Sequence, residues 1–127
     1  IHKRRDPDVP NQVSAHELVG DVTGRTCLLV DDMIDTAGTI VAAAAALKKN
    51  GAARVIVAAT HAVFSDPAVE RLSGDSVDAV VVMDTLPIPE EKRFEKLTVL
   101  SVAPLIARAI SAVFDDDSVS KIFPGHA

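Results

Sequence analysis

The chain has 127 residues, a length typical of one domain, and its 48% hydrophobic and 24% charged residues suit a buried core with a charged surface. A net charge of −5, a pI of about 5.2 and only four aromatic residues, all Phe, give no support to a nucleic-acid partner. The single cysteine excludes a disulfide within the chain and fits a reducing compartment, so a cytoplasmic protein is expected. The longest apolar run is too short to cross a membrane, and no membrane partner is expected.

Strand and helix patterns alternate along the chain. Residues 1–19 look loop-like, with room for a helix from about Gln12. Strands are predicted at 26–32, 53–61, 78–85 and 97–102, and helices at 39–50, 65–74 and 103–114, with a polar loop at 86–96. The strands are continuous apolar runs, which predicts an α/β fold with a parallel sheet and helices on both faces. Ligands bind such sheets beyond the carboxyl ends of the strands.

The first predicted helix has clear signals at both ends. Ile40, Ala44 and Leu47 fall on one face of it, as expected for a helix packed on a core. Lys48 lies in its last turn, and Gly51 stands where a residue with positive φ commonly ends a helix.

The stretch LLVDDMIDTAGTI, residues 28–40, joins the first predicted strand to this helix. Free backbone N–H groups and the helix dipole make a helix N-terminus suitable for a phosphate. Ala37 and Gly38 allow the backbone to approach an anion, and the hydroxyls of Thr36 and Thr39 can donate hydrogen bonds. The spacing and the lysine of a Walker A loop are absent, so one monophosphate fits better than a triphosphate.

Three carboxylates precede these small residues. Asp31 and Asp32 can accept hydrogen bonds from vicinal sugar hydroxyls, or hold Mg²⁺ directly or through water. Taken singly, each aspartate suits ordinary turn chemistry, and Asp35 could cap the following helix. Taken together, the acids and the small residues predict a sugar phosphate, and a site for a metal alone is the weaker alternative.

VDDMIDTAGT resembles the phosphoribosyl-diphosphate (PRPP) binding motif of type I phosphoribosyltransferase-fold proteins, in the version found in the ribose-phosphate diphosphokinase (PRPP synthetase) family. Further segments are similar to successive parts of the carboxyl-terminal half of that family: HKRRDPD, AATHAVFSDPA, DTLPIPEEKRF and LTVLSVAPLIARAI. The resemblance covers nearly the whole chain. It implies a type I phosphoribosyltransferase-like sheet and an enzyme of nucleotide biosynthesis that transfers diphosphate from ATP to ribose 5-phosphate, giving PRPP and AMP.

The resemblance also assigns residues to roles. It implies that the 5-phosphate is held by Asp35, Thr36, Ala37, Gly38 and Thr39 and that the ribose hydroxyls meet Asp31 and Asp32. By the same resemblance, Lys3 and Arg5 are catalytic residues: Lys3 stabilises charge on the transferred group, and Arg5 contacts substrate phosphate.

The family resemblance implies that residues 1–19 are the remainder of a flexible catalytic loop with the segment after it, and that 20–127 form the ribose 5-phosphate-binding domain. It implies Mg²⁺ as cofactor, with no metal-ligating residue in this chain, and a homo-oligomer, expected to be a hexamer. The chain is expected to be the carboxyl-terminal part of a larger enzyme and inactive alone. Two alternatives remain: a phosphoribosyltransferase that consumes PRPP, and a non-catalytic regulatory relative.

Overall fold

A computed structural model describes residues 2–5, 13–17 and 20–123, the first two ranges by their backbone alone. The strands are β1 (His2–Arg5), β2 (Val13–Glu17), β3 (Thr26–Ile34), β4 (Arg54–Ala62), β5 (Ala79–Met83) and β6 (Leu97–Leu100). The helices are α1 (Gly38–Lys49), α2 (Ala68–Ser73) and α3 (Ala103–Phe114), with short 3₁₀ turns at Glu90–Lys92 and Val119–Ile122.

The main sheet is parallel and has the strand order β3-β4-β5-β6. The predicted α/β fold with a parallel sheet is therefore confirmed. Each strand pairs with the next strand along the chain. When successive right-handed crossovers step in the same direction across a sheet, their helices lie on the same face. Both α1 and α2 contribute to one buried cluster with the strands, as this rule requires.

The two faces of the sheet differ in burial. Val55, Val57 and Val80 are fully buried on the face that α1 and α2 cover. On the other face Leu28 is 61% exposed and Val30 is 73% exposed. Within residues 20–123, α1 and α2 cover the same face, because the crossovers that carry them step in the same direction. Helix α3 buries none of its residues.

Some element boundaries differ from the sequence prediction. Residues 1–19 were expected to form a loop with a helix from about Gln12, but β1 and β2 pair there as an antiparallel two-stranded sheet. Strand β3 continues to Ile34, beyond the predicted end at 32, because Asp31 and Met33 still pair with β4. In α1, Ile40, Ala44 and Leu47 are buried as predicted.

The inward and outward alternation of β3 changes phase near its carboxyl end. Val30 and Ile34 should share a face in a regular strand, yet Val30 is 73% exposed and Ile34 is fully buried. The neighbouring strand β4 changes phase at the same level, since Ala59 and Ala62 are both buried. The β3 segment between Val30 and Ile34, which carries Asp31 and Asp32, is exposed and lies at the edge of the sheet where the strands end.

Candidate functional site

A cavity of about 160 Å³ opens where β3 leads into α1. Its lining residues are Asp31, Met33, Asp35, Thr36, Ala37, Gly38, Thr39 and Ile40. Six of the residues predicted to hold ribose 5-phosphate are therefore brought together around one cavity, at the carboxyl end of a parallel strand. Asp32 does not line the cavity, although its neighbours Asp31 and Met33 do.

The turn into α1 places backbone N–H groups beside this cavity. Ala37 is the residue before the helix; it is buried and adopts the left-handed conformation with φ of 60° and ψ of 5°. The first helical hydrogen bond runs from the N–H of Val41 to the carbonyl of Ala37. No side chain of residues 20–123 caps α1, and the alternative in which Asp35 caps this helix is wrong. The first N–H groups of α1 are thus left without a side-chain acceptor, as an anion site requires.

Asp31 and Asp32 each use one carboxylate oxygen on the backbone that follows. Oδ1 of Asp31 accepts the N–H of Asp32 at 2.9 Å, and Oδ1 of Asp32 accepts the N–H of Met33 at 2.8 Å. These bonds orient the two side chains, and both residues are exposed. Because a carboxylate has several acceptor positions, each group keeps capacity for a sugar hydroxyl or for the shell of a cation.

Arg71 on α2 reaches the same loop from the sheet's covered side. Its Nη1 donates to the carbonyl oxygen of Thr36 across 2.8 Å. A Cβ built on Gly38 would lie 3.2 Å from this nitrogen, which is closer than ordinary van der Waals contact. No sequence pattern indicates this contact, because Arg71 lies on a short helix separated from the loop by a whole strand.

A chain of hydrogen bonds joins the carboxyl ends of β4 and β5. The hydroxyl of Thr85 donates to the carbonyl oxygen of Thr60 at 3.0 Å, and Oγ1 of Thr85 lies 2.9 Å from Nδ1 of His61. Because the hydroxyl proton of Thr85 is already used, Nδ1 of His61 is the donor in their contact. A neutral His61 then keeps an acceptor at Nε2. His61 is the last residue of the strand predicted at 53–61, at the edge where ligands bind such sheets, but no sequence pattern indicated a partner for it.

Asp84 lies at the same edge and has a structural role. Its Oδ1 accepts the N–H of Val102 at 2.7 Å, at the start of α3. The N–H of Val102 and the hydroxyl of Ser101 hold the pKa of Asp84 below its usual value. Its negative charge is therefore engaged with the backbone that enters α3.

The residues predicted to act in catalysis lie on a different element. Lys3 and Arg5 belong to β1, for which the structure describes the backbone and not the side chains. Their catalytic roles, and the contact of Arg5 with substrate phosphate, stay predictions. Within the described residues, no three His, Cys, Asp or Glu side chains are grouped as a metal site, and no helix is long and apolar enough to span a membrane.

Comparison with known proteins identifies the class to which this fold and site belong. The family model of the phosphoribosyl synthetase-associated domain matches residues 5–124. The match covers nearly all of the chain, which therefore belongs to this family.

The relatives carry more specific names. The chain is 59% identical over 127 residues to a ribose-phosphate pyrophosphokinase of Mycobacterium tuberculosis, covering all of this chain and 39% of the relative. It is 59% identical over 123 residues to a protein of the same name from Streptomyces avermitilis, covering 97% of this chain and 38% of the relative. The crystal structure of phosphoribosylpyrophosphate synthetase from Mycobacterium smegmatis matches with a TM-score of 0.73 and 58% identity, over 77% of this chain and 33% of that chain.

This chain thus spans about 39% of the length of the curated relatives it matches. The names of these relatives do not favour a PRPP-consuming transferase or a regulatory relative.

Proposed function

We propose that this chain is the carboxyl-terminal part of a ribose-phosphate diphosphokinase, which transfers diphosphate from ATP to ribose 5-phosphate and forms PRPP and AMP. The observation that carries the proposal is the cavity of about 160 Å³ that joins Asp31 to the uncapped start of α1. The lining combines carboxylate acceptors with threonine hydroxyls and backbone donors, which suits the hydroxyls and the phosphate of a sugar phosphate. The names of the relatives supply the reaction.

Each part of the site has a distinct task in binding. The 5-phosphate would lie at the start of α1, where Thr36 and Thr39 present hydroxyls and the helix presents free N–H groups and its positive end. Asp31 and Asp32 would accept hydrogen bonds from the ribose hydroxyls and so fix the sugar's orientation. The anomeric hydroxyl would then be held in one position relative to ATP, which lowers the entropic part of the barrier.

Two further groups serve the transfer itself. Lys3 would stabilise the negative charge that develops on the transferred diphosphate, and Arg5 would contact substrate phosphate. Mg²⁺ would neutralise the charge of the ATP phosphates when bound. The described acids fit Mg²⁺ only as partial ligands, because Mg²⁺ in such sites keeps waters and substrate phosphates among its ligands.

The proposal includes the context of the chain. Residues 1–19 would belong to a flexible catalytic loop and the segment after it, and 20–127 to the ribose 5-phosphate-binding domain. The enzyme would be a cytoplasmic homo-oligomer, expected to be a hexamer. This part alone would be inactive, because the ATP site would need residues from outside these 127.

Isothermal titration of ribose 5-phosphate with Mg²⁺ into the full-length protein tests this function, together with an assay of AMP formation from ATP. We expect saturable binding in the unmodified protein and a loss of at least about ten-fold in affinity in Asp31→Asn and Thr39→Val, since each loses a polar contact. Asp75→Asn and Thr98→Val, at exposed positions outside the cavity, are the matched controls and should bind normally.

Two results would overturn the proposal. One is the absence of AMP formation that depends on ribose 5-phosphate in the unmodified full-length protein. The other is binding that falls equally in the control variants, because the loss would then not reside in the 31–39 segment.

A further inference from the structure

The loop that would hold the 5-phosphate is tied to α2 by one side chain. Nη1 of Arg71 donates to the carbonyl oxygen of Thr36 across 2.8 Å, joining residues that are 35 positions apart in sequence. Leu72, the next residue of α2, is fully buried in the core. The helix that carries Arg71 is therefore fixed to the core, and the guanidinium reaches from it to the loop.

This bond sets the orientation of a peptide plane in the loop. In a trans peptide the carbonyl and the following N–H point in opposite directions. Holding the carbonyl of Thr36 towards Arg71 therefore directs the N–H of Ala37 to the opposite side. Ala37 is left-handed, with φ of 60°, a conformation that is sterically unfavourable for alanine and needs support from its surroundings.

The residue type at position 38 is consistent with this arrangement. Gly38 lies so close to Arg71 that a Cβ there would be 3.2 Å from Nη1. Its φ is not in the left-handed region, so backbone conformation alone does not demand a glycine. The close approach of the guanidinium supplies a reason for a residue without a side chain at this position.

The charge of Arg71 also suits the site. Three carboxylates, Asp31, Asp32 and Asp35, lie in or beside the segment that would receive a phosphate, and each disfavours an anion. A guanidinium stays charged at all physiological pH values and forms strong hydrogen bonds to carbonyl oxygens. Next to Thr36 it offsets part of that negative field.

We propose that Arg71 is a positioning residue for the phosphate group of ribose 5-phosphate, acting through the Thr36–Ala37 peptide and through its charge. The inference rests on the function proposed above. Loss of Arg71 releases the peptide plane, so the N–H groups at the start of α1 no longer converge on the phosphate, while the binding of ATP is unaffected.

The test uses the full-length protein and compares Arg71→Met with Arg71→Lys. Arg93→Met is the matched control, because Arg93 is exposed and its ion pair with Glu90 stays within one turn. We expect Arg71→Met to raise the KM for ribose 5-phosphate about ten-fold, the effect of one lost charge-assisted hydrogen bond, with the KM for ATP unchanged within about two-fold. Arg71→Lys should recover part of the loss, because it keeps the charge. A merely structural role would change both KM values and the melting temperature together.

Gly38→Ala provides a second, independent measurement. The added Cβ contacts Arg71, so the effects of Gly38→Ala and Arg71→Ser on the affinity for ribose 5-phosphate should be strongly non-additive. The double variant should bind ribose 5-phosphate no more weakly than the worse single variant, and this comparison holds even if Arg71→Met folds poorly.

The outcomes separate this inference from the proposed function. If the unmodified protein forms AMP in a reaction that requires ribose 5-phosphate, the function stands. If Arg71→Met then behaves like Arg93→Met, or if the Gly38 and Arg71 effects simply add, Arg71 is not a positioning residue. If the unmodified protein forms no AMP, the proposed function fails and this inference fails with it.

Discussion

Nζ of Lys48 lies 2.7 Å from Oδ2 of Asp78, so the last turn of α1 is tied to the residue just before β5. The same oxygen accepts the N–H of Val55 at 2.6 Å, at the start of β4. One carboxylate thus connects α1, β4 and β5 at the end of the sheet opposite the candidate site. Both side chains of the ion pair are about 30% exposed or less, so water screens the contact only in part.

Asp78→Asn should lower the free energy of unfolding by about 1–2 kcal/mol at neutral pH, because a hydrogen bond to a charged group is lost and solvent screening limits its value. Urea unfolding measures the change. Asp75→Asn, an exposed change three residues away, is the control and should stay within about 0.5 kcal/mol of the unmodified protein.

The same residue gives the protein an acid-dependent stability. The side-chain hydrogen bond from Lys48 and the N–H of Val55 hold the pKa of Asp78 below its usual value. In the unfolded chain the carboxyl has a pKa of about 3.9. The stabilisation by Asp78 is therefore complete well above that pH and is lost as the pH falls through the lower pKa of the folded state. Across this acid range, the free energy of unfolding should fall less steeply in Asp78→Asn than in the unmodified protein. Identical pH profiles for the two proteins would contradict the assignment to Asp78.

Phe64 is the largest fully buried side chain, and its ring meets that of Phe94 edge to face with centroids 6.0 Å apart. Phe64→Ala should destabilise the protein by about 3–5 kcal/mol through lost burial and a cavity. Phe114→Ala is the matched control, because Phe114 is 85% exposed and should change stability by less than about 0.5 kcal/mol. Equal losses in the two variants would show that the core is not centred on Phe64.

Lys96 closes the carboxyl-terminal end of α2. Its Nζ donates to the carbonyl oxygens of Ser73, Gly74 and Val77 at 3.0, 2.8 and 2.8 Å. Lys96→Met should cost about 1–3 kcal/mol, because the partly buried carbonyl of Val77 loses its charged donor. Lys49→Met, on the exposed last turn of α1, should be near neutral. Thermal unfolding of both variants shows whether Lys96 stabilises the end of α2 or behaves as an ordinary surface lysine.

Helices α1 and α3 end in the same hydrogen-bonded motif, but with different residues at its left-handed position. Gly51 has a φ of 88° after α1, and Asp116 has a φ of 50° after α3. In α3 the N–H of Asp117 bonds to the carbonyl of Ala112, as the motif requires. Asp116→Gly should therefore stabilise the protein by about 0.5–1 kcal/mol, since glycine adopts this conformation without steric cost.

Asp115→Gly is the matched change for that prediction. Asp115 has a φ of −88°, which any residue adopts, so a glycine there only adds freedom to the unfolded chain. This variant should be destabilised, and a gain in melting temperature in both variants would refute the conformational explanation.

The elements with strong apolar patterns were predictable from the sequence. Helix α3 has the bounds that the sequence predicted, and Gly51 ends α1 through the expected positive φ. The grouping of Asp31, Asp35 and Thr36 to Thr39 around one cavity also follows from their spacing at the end of a parallel strand. Local chemistry and strand direction suffice for such features.

Other features depend on contacts that a sequence pattern does not contain. Strands β1 (HKRR) and β2 (VSAHE) lack the apolar runs by which the four strands of the parallel sheet were found. Strand β3 keeps pairing through Asp31 and Met33, although the acids suggested that it had ended. The contact of Arg71 with Thr36 arises only when α2 is packed beside the loop. The start of α1 at an uncapped Ala37 breaks the usual preference for Ser, Thr or Asp at that position.

The sequential order of the four parallel strands bears on how the chain reaches its native state. Every ladder in this sheet joins strands that follow each other along the chain, with one crossover connection between them. Such a topology has a low contact order for a parallel sheet, and each loop closure costs little entropy beyond the previous one. Folding can therefore nucleate in the β3–α1–β4 unit, which contains the candidate phosphate loop, and advance strand by strand towards β6.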